Sequence, residues 1–145
     1  MKANNVNFSL ILILLFLLSC KVNTANPGKL PQKNIPIGSY GGFTGMNEKH
    51  IYLRNGQVFK SQKMPNESPK ITFEKQISKK QARQMFKTIN KMKFTEEAFA
   101  EPGNINTYIQ RNRWLRKDDY YQWDYQLDSS DRNFKLITKL LNFAN

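Results

Sequence analysis

Cysteine and histidine are almost absent: the 145-residue chain has one of each, Cys20 and His50. A single cysteine excludes a disulfide within a monomer, so no covalent staple holds this fold. One His and one Cys also fall short of a zinc site, which takes several such ligands at defined spacing. Acidic residues are scarce, 11 Asp+Glu against 23 Lys+Arg, and the formal net charge is +12. No apolar run approaches the roughly 20 residues that a membrane-spanning helix needs. No internal repeat is present, which excludes a solenoid or a propeller.

What is there begins at the N-terminus. Lys2 supplies a positive charge, and Phe8 to Leu18 (FSLILILLFLL) is an eleven-residue apolar run of the length found in a secretory signal. The run ends in Leu17-Leu18-Ser19-Cys20, which resembles the lipobox of bacterial lipoproteins. That resemblance implies a diacylglyceryl group on the Cys20 thiol and cleavage just before it. Residues 1–19 are then a signal peptide that is removed, and two or three acyl chains anchor the rest stably at about 0.8 kcal/mol per buried CH₂. Cleavage removes only one charged residue, Lys2, so the mature chain carries one positive charge fewer than +12.

From Lys21 to Ile35 (KVNTANPGKLPQKNI) the chain is rich in Asn, Pro, Gly and Lys without apolar periodicity. It reads as a flexible lipidated tether over residues 20–35. Residues 36–145 are enough for one modest core, hence a single domain.

Within that domain, Ile37 to Gly45 reads as a glycine-rich strand, bulged near Gly41-Gly42. Asn55-Gly56 between two β-rich runs predicts a hairpin with a two-residue loop. That register pairs Leu53 with Val58 on one face and Tyr52 with Phe59 on the other. Both faces are apolar, as in a central hairpin. Ile71, Phe73 and Ile77 alternate with polar residues as on a half-buried strand. Ser78 and Gln81 have capping-box spacing ahead of a helix from Lys79 to about Lys93, with Ala82, Met85, Phe86, Ile89 and Met92 on one stripe. Two further strands, Asn106–Arg116 and Asp119–Leu127, meet at Lys117-Asp118, setting Arg116 against Asp119, Trp114 against Tyr121 and Arg111 against Asp124. A last helix follows Ser129-Ser130-Asp131. The order is ββββ-α-ββ-α, an α+β fold with an antiparallel sheet of about six strands and two helices.

This layout of lipobox, glycine-rich strand, Asn-Gly hairpin, Ser-capped Lys-Lys-Gln-Ala helix, Pro-Gly-Asn turn and aromatic strand resembles that of small lipoproteins of Bacteroidota. Some surface-exported members of that group carry acidic residues soon after the cysteine. Lys21 to Asn26 has none, so the resemblance implies an outer-membrane protein facing the periplasm. It brings no activity, cofactor or catalytic residue with it.

No catalytic constellation stands out. His50 has only a serine or threonine to activate as a nucleophile, and a triad needs a base and an orienting group in reach. The carboxylates Glu96, Glu97 and Glu101, and Asp118 and Asp119, fall in loops or turns, where solvated ion pairs are the simpler reading than hydrolysis or calcium binding. No catalytic, metal or cofactor residue is expected. Lys80, Arg83, Lys87 and Lys91 fall at helical spacing opposite the apolar stripe, and Arg111, Arg113, Arg116 and Lys117 surround Trp114. Those cations form either a plainly solvated surface or a contact for anionic lipid or acidic glycan, rather than for nucleic acid. Tyr121, Trp123 and Tyr125 form a stripe that is either core or a stacking surface. The expected role is a non-enzymatic envelope module that binds a partner, an envelope protein among them, or contributes to an assembly. The alternative is a hydrolase of envelope polymers working through carboxylates.

The lipobox reading makes the first prediction. The protein expressed in its own host should yield an N-terminal peptide beginning at Cys20 with the added mass of acyl chains, and Cys20→Ser should abolish that mass. An unmodified Cys20 in the wild-type peptide would overturn it.

Overall fold

The computed structural model describes residues 25–42, 45–94, 105–112, 119–123, 129–130 and 133–144. In chain order they form β1 (Asn34–Gly41), β2 (Asn47–Leu53), β3 (Gln57–Lys63), β4 (Lys70–Gln76), α1 (Lys79–Ile89), β5 (Ile105–Arg111), β6 (Asp119–Trp123) and α2 (Phe134–Ala144). One sheet contains all six strands in the order β4-β3-β2-β1-β5-β6, and every neighbouring pair is antiparallel. The α+β class and the order of elements are those expected from the sequence. The first four strands meander outward, then the chain passes through α1 and returns to the free side of β1 as β5.

The β2–β3 hairpin departs from its expected register by one residue. Tyr52 pairs with Val58 and Ile51 with Phe59, so the loop holds three residues, not two. Gly56 N–H donates to Leu53 O at 3.0 Å, and Gly56 has φ +91° while Asn55 does not take positive φ. This is a tight turn followed by a left-handed glycine. Asn55 supports it by accepting from Gln57 N–H at 3.0 Å. No other residue fits at position 56, because a Cβ there would stand 2.3 Å from Ile77 O. Gly56 O in turn accepts from Ile77 N–H at 2.9 Å, which ties the hairpin to the start of α1.

Burial on both faces of the hairpin agrees with the sequence reading, although the partners change. Tyr52 and Val58 face the helices, in a core with Ile35, Ile37, Ile109 and Tyr121 beneath Met85, Phe86, Ile89, Ile137 and Leu140. Ile51, Leu53 and Phe59 face the other way and form a second, smaller core with Ala25, Leu30 and Ile71. Phe73 also turns to that side and meets the Phe59 ring edge-on at 5.7 Å, remaining 50% exposed. The expected single face for Ile71, Phe73 and Ile77 is therefore corrected. Ile77 alone, past the end of β4, packs on the helix side.

The helices follow their signals closely. Ser78 and Gln81 close a full capping box, and Ala82, Met85, Phe86, Ile89 and Met92 are all buried. The helix itself ends at Ile89 with Asn90 as its C-cap, and single turns carry the chain on to Met92. Asn133, 1% exposed, accepts from Lys93 N–H at 3.2 Å and donates to Lys93 O at 2.9 Å. It clamps the tail of α1 to the start of α2.

Two further expectations change. β5 and β6 pair Arg111 with Asp119, Ile109 with Tyr121 and Thr107 with Trp123. Arg111 thus faces Asp119 and not Asp124, and Tyr121 faces Ile109 and not Trp114, while the expected turn at Lys117-Asp118 lies outside the described residues. The expected tether also gives way to structure before Ile35. Asn34 and Ile35 are buried in β1, Ala25 N–H donates to Gln57 Oε1 at 3.0 Å, and Leu30 packs on the smaller core.

Residues 25–33 accordingly contribute to stability. A chain starting at Asn34 loses the cover over Leu53 and Phe59, and should melt more than about 5 °C below one starting at Lys21. Equal melting temperatures by calorimetry would show that these residues add nothing.

Candidate binding surfaces

Helices of eleven residues are about 16 Å long, whereas strands of seven run about 23 Å. The helix layer therefore covers only part of its side of the sheet. Where the cover stops, beside Leu141 of α2, a cleft of about 520 Å³ opens on the helix side, within the range of small-ligand sites. Ile37 and Leu141 give it apolar surface, and Ser39 and Thr107, paired across β1 and β5, form a hydroxyl wall.

The opposite wall is charged. Glu48 and His50 alternate along β2 and so point to the same side as Tyr52. Glu74 arrives from β4, two strands away, by way of a register shift opposite Val58 and Phe59. Such a bulge re-aims side chains, and here it brings the consecutive residues Glu74 and Lys75 to one cleft. His50 Nδ1 lies 2.7 Å from Glu74 Oε2. A carboxylate only accepts, so Nδ1 carries the proton, and in the neutral ring Nε2 is left as an acceptor. That nitrogen stands 4.0 Å from Glu48 Oε1.

Glu48 is already engaged. Lys60 Nζ lies 2.9 Å from its Oε1, and Gln62 donates to its Oε2 at 2.8 Å. The hydrogen bond from Lys60 first, then that from Gln62, holds its carboxyl below the usual range against a small opposing effect of burial. Tyr52 shifts the other way. Burial, aided by the negative charge of Glu74, pushes its hydroxyl up to about 12. Among the described residues, no group of three His, Cys, Asp or Glu is placed to hold a metal ion.

The outer surface of the helix layer has opposite character. Lys79, Lys80, Arg83, Lys87, Lys91 and Lys93 on and after α1, and Lys135 and Lys139 on α2, meet no acidic residue within 79–94 or 133–144. None of the eight is ion-paired among the described residues. Lys80, Arg83, Lys87 and Lys91 are all exposed, as their helical spacing implied.

Arg111 differs from its expected place in that surface. Its guanidinium holds Asp119 through Nε at 2.8 Å and through Nη2, and lies 4.4 Å from the centre of the Phe94 ring. Its charge is spent inside the fold. Arg113, Arg116, Lys117 and Trp114 lie outside the described residues, as do Glu96, Glu97, Glu101, Asp118, Tyr125 and Cys20. Of the aromatic stripe, Tyr121 is core and Trp123 packs half-buried against it, so both serve packing.

Sequence reasoning passed over Glu48 and Glu74. The i, i+2 spacing of Glu48 and His50 was a signal for a shared strand face, but nothing local announced Glu74, whose approach depends on a bulge. Likewise His50 faces carboxylates and not its neighbour Lys49, which alternation sends to the other side of the sheet. Among the described residues no helix is long and apolar enough to cross a membrane. Compared with known proteins, the chain matches no family model, no curated protein and no solved structure.

Proposed function

We propose that this protein is held to a bacterial envelope membrane by lipid on Cys20, at the outer membrane facing the periplasm, and works there by binding. The observation that carries this reading is the helix layer, with eight cations and no acid in its described residues. Each Lys or Arg near an anionic surface contributes about 1 kcal/mol of attraction. One face of the domain is thus attracted to anionic headgroups or acidic glycan, while the lipid on Cys20, five residues before Ala25, holds the chain at the membrane.

Hydrolysis is the competing reading, since Glu48 and Glu74 do converge on His50. Carboxylate catalysis of that kind needs one carboxyl kept protonated beside one that is ionised. Glu48 is driven toward the ionised form by Lys60 and Gln62, so it is poorly suited to deliver a proton.

The chain from residue 20 with Cys20→Ser, which has no lipid, should bind vesicles containing anionic phospholipid and ignore zwitterionic ones. Screening lengths fall from about 30 Å at 0.01 M salt to about 10 Å at 0.1 M, so co-sedimentation should weaken steeply over that range. Lys80→Glu with Arg83→Glu should weaken it further. Acidic residues are favourable near a helix N-terminus, so stability should stay within about 0.5 kcal/mol of wild type. A folded protein that ignores anionic vesicles at low salt would contradict the reading and leave the cations as a solvated surface.

A further inference from the structure

The cleft holds polar capacity that the fold does not use. Tyr52 is 2% exposed, its ring belongs to the main core, and it lines the cleft. Among the described residues its hydroxyl has no hydrogen-bond partner, and it is not sealed from solvent, so it offers a donor to whatever enters the cleft. Its ionisation near 12 keeps it a proton donor at any physiological pH. Beside it, Glu74 has a second carboxylate oxygen beyond the one that meets His50, and among the described residues His50 Nε2 has no partner closer than 4.0 Å. Across the cleft stand the hydroxyls of Ser39 and Thr107.

The chemistry of the missing partner follows by elimination. The charges of the cleft are balanced, Glu48 by Lys60 and Glu74 by its neighbour Lys75, so neither an anion nor an ammonium group gains a net attraction there. A neutral polyhydroxyl ligand needs none. Its hydroxyls donate to Glu74 and His50 Nε2, accept from Tyr52, and do both with Ser39 and Thr107. Hydrogen bonds to the Glu74 carboxylate are the stronger, charge-assisted kind. Ile37 and Leu141 offer apolar surface to the C–H face of a ring. We propose that the cleft beside Leu141 is a binding site for a neutral saccharide, oriented by Tyr52, His50 and Glu74.

The single histidine makes the test clean, because the ring resonances of His50 need no assignment among others. The chain from residue 20 with Cys20→Ser would be titrated by NMR with glucose, galactose, N-acetylglucosamine and disaccharides of each. Sialic acid and spermidine serve as the anionic and cationic comparisons. At least one neutral sugar should shift the His50 signals saturably, with Kd of about 1 mM or tighter. Tyr52→Phe removes only a hydroxyl that no side chain among the described residues uses. It should keep the melting temperature within about 2 °C and weaken sugar binding about tenfold, with Glu74→Gln as a second variant of the same direction. Lys80→Glu with Arg83→Glu should leave sugar binding unchanged, so failure at the membrane and failure at the cleft are told apart. Saturation by spermidine or sialic acid alone would overturn the proposal. So would absence of saturation by every neutral sugar, or sugar binding that Tyr52→Phe does not weaken.

Discussion

Burial of the β2–β3 hairpin on both faces is the constraint from which the rest of the domain follows. A strand with one solvated face can place its apolar residues on alternate positions only. β2 instead carries Tyr52 into the helix-side core and Ile51 and Leu53 into the opposite one, so something must cover each side. On one side α1 and α2 provide the cover. On the other, the segment around Ala25 and Leu30 does so, fastened by the bond from Ala25 N–H to Gln57. The hairpin register makes this division, and a slip of one residue would exchange every side chain between the two cores. Gly56 fixes that register, since only a glycine can pass so close beneath Ile77.

Incomplete cover on the helix side separates the charges. The lower part of the sheet, beyond the reach of two eleven-residue helices, keeps its polar side chains, and the acidic residues Glu48 and Glu74 gather there around His50. The helices meanwhile present lysine and arginine outward, with no acidic residue among those described in 79–94 and 133–144. A domain of strongly positive net charge thus holds a locally balanced cleft beside an unbalanced surface. Those two regions suit different partners. The balanced cleft suits a neutral, hydrogen-bonding ligand, and the unbalanced face suits an extended anionic surface.

Where local chemistry decides, the sequence was easy to read. Ser78 and Gln81 announced their capping box, the α1 stripe fell on the buried side, and the element order emerged from alternating periods. Legibility failed wherever the answer depended on a distant residue. Asn55-Gly56 signals a hairpin, but Ile77, twenty-one positions on, favours the three-residue form by closing over Gly56. The Asn-, Pro-, Gly- and Lys-rich composition of residues 21–35 suggested a tether, yet the side chains of Ala25 and Leu30 and one backbone donor dock it on a face that composition alone does not reveal. Arg111 looked like surface charge because Asp119 and Phe94 meet it only in the fold. The cleft was least legible of all. Its walls come from β1, β2, β4, β5 and α2, and the bulge that delivers Glu74 has no local signature.

The central claim is that the helix layer is the face this domain turns toward an anionic membrane. Its most direct test is paramagnetic relaxation, on the lipid-free chain with Cys20→Ser, from a spin label carried on the headgroups of anionic nanodiscs. The account predicts the strongest amide broadening at Lys80, Arg83, Lys87 and Lys139, and the weakest at residues 26–30 on the far side of the sheet. Broadening that peaks at residues 26–30, or that spreads evenly over both faces, would contradict it.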